Sequence, residues 1–93
     1  MNVRVRIPTQ LRPFTGGLSE VEADGVNVGE VISALGKTYP GITERIFDDS
    51  GTLRRFVNVY LGDEDIRFLD GLVTPVGEDS HLAIIPAVAG GSR

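Results

Sequence analysis

Leu82-Ala83-Ile84-Ile85 is a short apolar run with β-branched members, and it leads into Pro86-Ala87-Val88-Ala89-Gly90-Gly91-Ser92-Arg93. Apolar residues at successive positions, bounded by a turn signal, are the pattern of a buried strand in the middle of a sheet. The turn is Gly77-Glu78-Asp79-Ser80, and His81 opens the strand. The residues after Pro86 have small side chains and two adjacent glycines, which carry no Cβ to hold another molecule's walls away. The stretch therefore reads as a firm anchor followed by a flexible tip. Chain ends rich in small residues are commonly frayed, so Gly90-Gly91 taken alone carries little weight.

A central strand needs neighbours, and the other end of the chain supplies one. Val3, Val5 and Ile7 alternate with Arg4 and Arg6, the period of a strand with one face in the core, and Pro8 stops it. Arg4 and Arg6 read as solubilising residues on the outer face. Leu18 to Ala23 resumes the alternation before Asp24-Gly25, which predicts a β-hairpin with a loose loop from Thr9 to Gly17. Val28, Val31, Ile32, Leu35 and Tyr39 then share one helical face. Asn27 is the expected N-cap, with Glu30 completing a capping box at the Asn27 amide. Pro40-Gly41 ends that helix. Gly29 and Gly36 weaken its propensity, so packing against a sheet must hold it. Ile42 to Phe47 predicts a second, brief helical turn. Arg55 to Leu61 is the next strand; with Val57, Val59 and Leu61 in the core, Phe56, Asn58 and Tyr60 face outward. Phe56 and Tyr60 are therefore candidates for partner docking on an open sheet face. Gly62-Asp63-Glu64-Asp65 turns the chain, and Ile66 to Leu69 reads as a short strand or extended arm.

Composition limits what such a chain can do. Its 93 residues fit one domain, with 41% hydrophobic and 24% charged residues, an ordinary globular balance. It has no cysteine, which excludes disulfides, thiolate metal sites and a cysteine nucleophile, and is the usage expected in the cytoplasm. The formal net charge of -4 argues against nucleic acid as a partner. The N-terminus alternates charged with apolar residues, unlike a signal peptide, and no run approaches membrane-spanning length. Gly16-Gly17 lacks the further glycines and the Lys-Ser or Lys-Thr pair of a phosphate loop. No acid-base pair, metal cluster or nucleophile accompanies His81, so neither catalytic residues nor a bound metal or cofactor is expected.

The order strand, strand, helix, short helix, strand, short strand, strand fits an α+β ubiquitin-like β-grasp roll. In that roll one main helix crosses a mixed sheet and the last strand runs parallel beside the first. Periodicity alone admits other α+β arrangements. Resemblance narrows them. Thr74-Pro75-Val76, Gly77-Glu78-Asp79 and Leu82-Ala83-Ile84-Ile85-Pro86-Ala87-Val88-Ala89-Gly90-Gly91 together resemble the C-terminal signature of the ubiquitin-like sulfur carriers of the MoaD/ThiS family. Met1-Asn2-Val3, Arg55-Phe56-Val57-Asn58-Val59-Tyr60 and Asp63-Glu64-Asp65-Ile66-Arg67-Phe68 extend the likeness to the cysteine-forming branch.

The resemblance implies a domain over 1–86 and a flexible tail over 87–93. It implies a protein co-substrate rather than an enzyme. Gly91 would be adenylated by an E1-like enzyme using ATP and magnesium, then converted by a rhodanese-type sulfur donor to a thiocarboxylate. A pyridoxal-phosphate-dependent cysteine synthase, or another sulfur-using synthase, would consume it. Ala87, Val88, Ala89 and Gly90 would thread the activating slot. Family members end at the second glycine, so Ser92 and Arg93 would either first be removed, as a zinc metalloprotease does for some related carriers, or be foreign to the natural chain. A ubiquitin-like modifier joined through Gly91 to lysines is the alternative that the same tail allows.

Overall fold

The computed structural model describes residues 2–86. Ala87, Val88, Ala89, Gly90, Gly91, Ser92 and Arg93, the tail and processing residues expected above, lie outside the described residues.

The strands β1 (Asn2–Arg6), β2 (Glu20–Asp24), β3 (Val57–Leu61), β4 (Glu64–Asp65) and β5 (His81–Pro86) form one five-stranded sheet in the order β2-β1-β5-β3-β4. β5 lies parallel to β1 and antiparallel to β3, so the last strand of the chain is central. This is the mixed sheet of the β-grasp roll. One face is apolar in every long strand: Val3 and Val5, Val21 and Ala23, Val57 and Val59, Leu82 and Ile84 are all buried. Helix α1 (Val28–Thr38) covers that face with Val28, Val31, Ile32 and Leu35, each almost fully buried. Helix α2 (Ile42–Ile46) adds Ile42 and Ile46 to the same core.

Local chemistry sets the element ends. The Asn27 side chain accepts a hydrogen bond from the Glu30 amide at 2.8 Å, capping α1 as expected. The reciprocal bond differs, because the Glu30 carboxylate accepts from the Val26 amide at 3.2 Å rather than from Asn27. The hairpin loop is more ordered than a loose connection: Thr9–Thr15 forms a 3-10 helix. The buried Thr15 hydroxyl lies within donating distance of the Arg12 and Leu18 carbonyls. Gly16 and Gly17 then turn the chain with φ of 68° and 92°, which only glycine adopts without strain.

Ile66 to Leu69 is not a strand or an extended arm. The Asp65 carboxylate accepts from the Arg67 amide at 2.9 Å and starts a 3-10 turn over Ile66–Phe68, with Ile66 fully buried. β4 is therefore only the pair Glu64–Asp65. Phe56 precedes β3 in a turn, and Leu61 is only partly buried.

β5 departs from expectation in one respect that bears on function. Its residues are apolar on both sides, yet only one side is covered, and Ile85 remains 45% exposed. Both helices share the inner face, and among the described residues no second layer lies over the outer one. Lys37, the only lysine of the chain, is exposed on α1 and so stands on the opposite side of the molecule from that open face.

Candidate functional site: an open sheet face at the exit of the last strand

Strand pairing orders the outer face into columns, because directly paired residues point to the same side. On β2 and β1, Glu20 stands opposite Arg6 and Glu22 opposite Arg4. Arg4 is next to His81 on β5, and Arg6 next to Ala83. Ala83 pairs with Tyr60 of β3, and Ile85 with Asn58. The face thus passes from a charged half to a half where Ala83, Ile85 and Tyr60 expose apolar surface.

Phe56 lies off this face, in the turn before β3, where it lines a cleft with Asp48, Arg54, Arg55 and Val57. It is 47% exposed, and the Arg55 guanidinium lies 5.9 Å from its ring centroid. Tyr60 is half-buried in β3. Three residues, Val57 to Val59, lie between the two aromatics, one in a turn and the other in β3, so they do not form one cluster. Asn58 and its partner Ile85 follow Phe56 along the chain, and the apolar strip of the outer face is Ile85, Ala83 and Tyr60, with Phe56 in the turn before β3.

The turn that carries Phe56 is tied down by one side chain. Arg67 Nη1 donates to Asn58 Oδ1 at 2.6 Å, and Nη2 donates to the carbonyls of Val57 at 2.8 Å and Arg54 at 3.2 Å. A planar guanidinium can serve several acceptors at once, which a lysine cannot match. Its contact with Asp65 at 3.9 Å is the one ion pair described. The sequence reading missed both Ile85 and this role for Arg67. The first could have been found from layer counting: one main helix covers one face of a sheet, so an apolar run on the central strand must leave alternate residues outside.

After Ile85 comes Pro86, paired with Val57 and the last described residue. On the β1 side of this strand end, Arg6 and Arg12 line a cleft of about 350 Å³ together with Ile85 and Pro86. Arg12 Nε donates to the Ile7 carbonyl at 3.2 Å. His81, at the opposite end of β5, is exposed. Among the described residues no group of three or more histidine, cysteine, aspartate or glutamate side chains is arranged to hold a metal. No described helix is long and apolar enough to cross a membrane.

Known proteins place this architecture. The chain is 54% identical to the sulfur carrier protein CysO of Mycobacterium tuberculosis, over 98% of this chain and all of that one. Its structure superposes on a chain of the Amycolatopsis orientalis BexX/CysO complex with a TM-score of 0.89, at 47% identity, covering 96% of this chain and 99% of that one. It is also 32% identical to small archaeal modifier protein 3 of Haloferax volcanii over 73% of each chain. The ThiS family model matches residues 5–91, from the first strand through the paired glycines, and the chain belongs to that family.

Proposed function

We propose that this protein is a sulfur carrier of cysteine biosynthesis whose working group is the Gly91 carboxyl. What supports the reading above all is the near full-length similarity to a sulfur carrier, running through Gly90-Gly91. The fold complements it, since those glycines follow closely in sequence on β5, the central strand of the sheet.

A carboxylate resists nucleophilic attack because it is anionic and its leaving group is poor. An E1-like enzyme would use ATP and magnesium to convert Gly91 to an acyl-adenylate, releasing pyrophosphate. A rhodanese-type persulfide then attacks the carbonyl carbon and AMP leaves. A thiol splits the resulting acyl disulfide, giving the Gly91 thiocarboxylate and a disulfide. The thiocarboxylate sulfur, ionised and soft, attacks an activated carbon on a pyridoxal-phosphate-dependent synthase. The chemistry belongs to the partner enzymes, and this chain contributes the acyl group and its address. Side chains at residues 90 and 91 would crowd both the slot and the carbonyl.

Ser92 and Arg93 follow Gly91, so the peptide bond after Gly91 must first be hydrolysed, a reaction suited to a zinc metalloprotease. The strip Ile85, Ala83 and Tyr60, with Phe56 in the turn before β3, serves as the docking surface while Ala87, Val88, Ala89 and Gly90 thread the slot. A second reading, a protein modifier joined through Gly91 to lysines, draws on the similarity to a small archaeal modifier protein. One experiment separates them. The chain shortened to Gly91 is incubated with ATP, magnesium, the activating enzyme and a sulfur donor, and its intact mass is measured. A carrier gains the mass difference of sulfur for oxygen; isopeptide adducts in place of that gain support the modifier, and neither product refutes both.

A further inference from the structure

Charge is unevenly placed along β5, and the asymmetry describes the partner. Near the start of the strand lie Glu78 and Asp79 in the preceding turn. Asp63 and Glu64 follow Gly62, whose amide donates to the His81 carbonyl at 2.9 Å. Around the exit the sign reverses. Arg6 and Arg12 line the cleft beside Ile85 and Pro86. Arg55 stands on the other side, two residues before Val57, the partner of Pro86. Among the described residues none of these three arginines has an ion pair. Acids stand there too, Glu20 opposite Arg6 in the register and Asp48 in the cleft that Arg54 and Arg55 line, but with Arg54 the four arginines outnumber them in a chain of net charge -4, so the local sign runs against the overall field.

We propose that this basic collar docks against a protein whose tail-admitting slot carries carboxylates on both sides of its mouth. The inference rests on the reading that the segment after Pro86 enters such a slot. Geometry fixes which part of this protein must meet the rim. From Pro86 to Gly91 the chain spans at most roughly 17 Å, so a slot deep enough to act on Gly91 brings its mouth against the residues around Pro86. Those residues are apolar in the middle and cationic at both flanks. A complementary mouth is apolar in the middle and anionic at both flanks. Like charges at this rim would oppose docking, so the collar also rejects slots with a basic mouth. The acidic start of β5 points the dipole of the domain in the same sense and steers its approach with the exit leading.

The test uses the chain ending at Gly91 and its activating enzyme. Arg55→Glu and Arg12→Glu are compared with Arg4→Glu, which makes the same change in net charge but lies beside His81 at the far end of β5. Binding is measured by titration calorimetry at low and high salt, with thermal unfolding to confirm each fold. Arg55 makes no described hydrogen bond and its guanidinium lies over the exposed Phe56 ring, so its reversal keeps the fold even if Arg12→Glu disturbs the loop, and Arg55→Gln, which also loses the ring contact but adds no negative charge, separates that loss from the charge. The expectation is roughly tenfold weaker binding for Arg55→Glu near 0.1 M salt, where charges are felt over about 10 Å. The difference should shrink near 1 M salt, and Arg4→Glu should stay close to wild type. Replacing a carboxylate at the partner's mouth by arginine should restore Arg55→Glu. Equal weakening by Arg4→Glu and Arg55→Glu overturns the collar, as does an unchanged Arg55→Glu. Salt-sensitive capture of a short DNA duplex that Arg55→Glu abolishes overturns it in favour of nucleic acid. If the wild-type chain is adenylated while the variants bind alike, only this inference fails; if no partner adenylates it, the proposed function fails with it.

Discussion

Replacing Gly36 by alanine tests the packing that holds α1 to α2. In an open helix interior alanine is more favourable than glycine by about 0.8–1.0 kcal/mol, so propensity alone predicts a gain. Here a Cβ built on Gly36 would lie 2.2 Å from Thr43 Cγ2, and 3.3 Å from both Thr43 Cβ and Oγ1. Carbon atoms pack best at about 3.5–4.0 Å, so the methyl group drives α2 outward or forces Thr43 from its rotamer. Overpacking of this kind typically costs about 1–3 kcal/mol. Set against the helix gain, the net is a loss of about 1 kcal/mol, read as a fall in Tm of roughly 4–8 °C for a domain of this size. Thr43→Ser removes the offending Cγ2. In that background Gly36→Ala should change sign and stabilise by about 0.5–1 kcal/mol, and the double-mutant cycle isolates the contact. Thermal or urea unfolding of the four proteins suffices. Stabilisation by Gly36→Ala in the wild-type background, or the same effect in both backgrounds, would refute the reasoning.

Other substitutions separate fold from address. Arg67→Met keeps the length of the side chain but removes its bonds to Asn58, Val57 and Arg54. A stability loss of about 1–2 kcal/mol is expected, discounted because the side chain is 39% exposed, together with a raised KM for activation and an unchanged kcat. An unchanged KM would show that the turn does not position Phe56 for docking. Ile85→Ser and Phe56→Ala should leave Tm within a few degrees, since both residues are half-exposed, and each should lower kcat/KM for adenylation roughly tenfold. Wild-type adenylation by either variant counts against the docking surface. Gly91→Val in the shortened chain should leave unfolding untouched and abolish adenylate formation, followed by pyrophosphate release; retained turnover would remove Gly91 from the chemistry.

Much of the fold can be read from alternation. Val3-Arg4-Val5-Arg6 and Val57-Asn58-Val59 each declare one wet and one dry side, and the stripe from Val28 to Leu35 declares a helix lying over the dry one. Reading fails where a side chain competes with the backbone pattern. Ile66-Arg67-Phe68 looks extended by composition, but the Asp65 carboxylate captures the Arg67 amide and winds the segment into a turn. The Thr9–Thr15 turn was hidden because Pro13 and the paired glycines signal a loop without saying that Thr15 will bury its hydroxyl. On the open face, Tyr60 follows from period two, but Phe56 does not, because the strand starts at Val57 and Phe56 belongs to the turn before it; Ile85 was missed because an apolar run looks the same whether one face or both are covered. The expectation for Gly91 rests on resemblance alone; glycine pairs near an end have no periodicity to betray them.

The distribution of amines has a consequence for an acyl-transfer protein. An activated carboxyl is an electrophile, and the nearest neutral amine is its natural trap. Arginine is no such trap, because its guanidinium stays protonated and does not attack. The cationic side chains of this chain are arginines apart from Lys37, and Lys37 sits on α1, on the side of the sheet opposite its open face. If Gly91 is activated as proposed, the mixed anhydride meets a single lysine on any copy of the chain, so a side-chain cross-link between two copies forms at one address, Lys37.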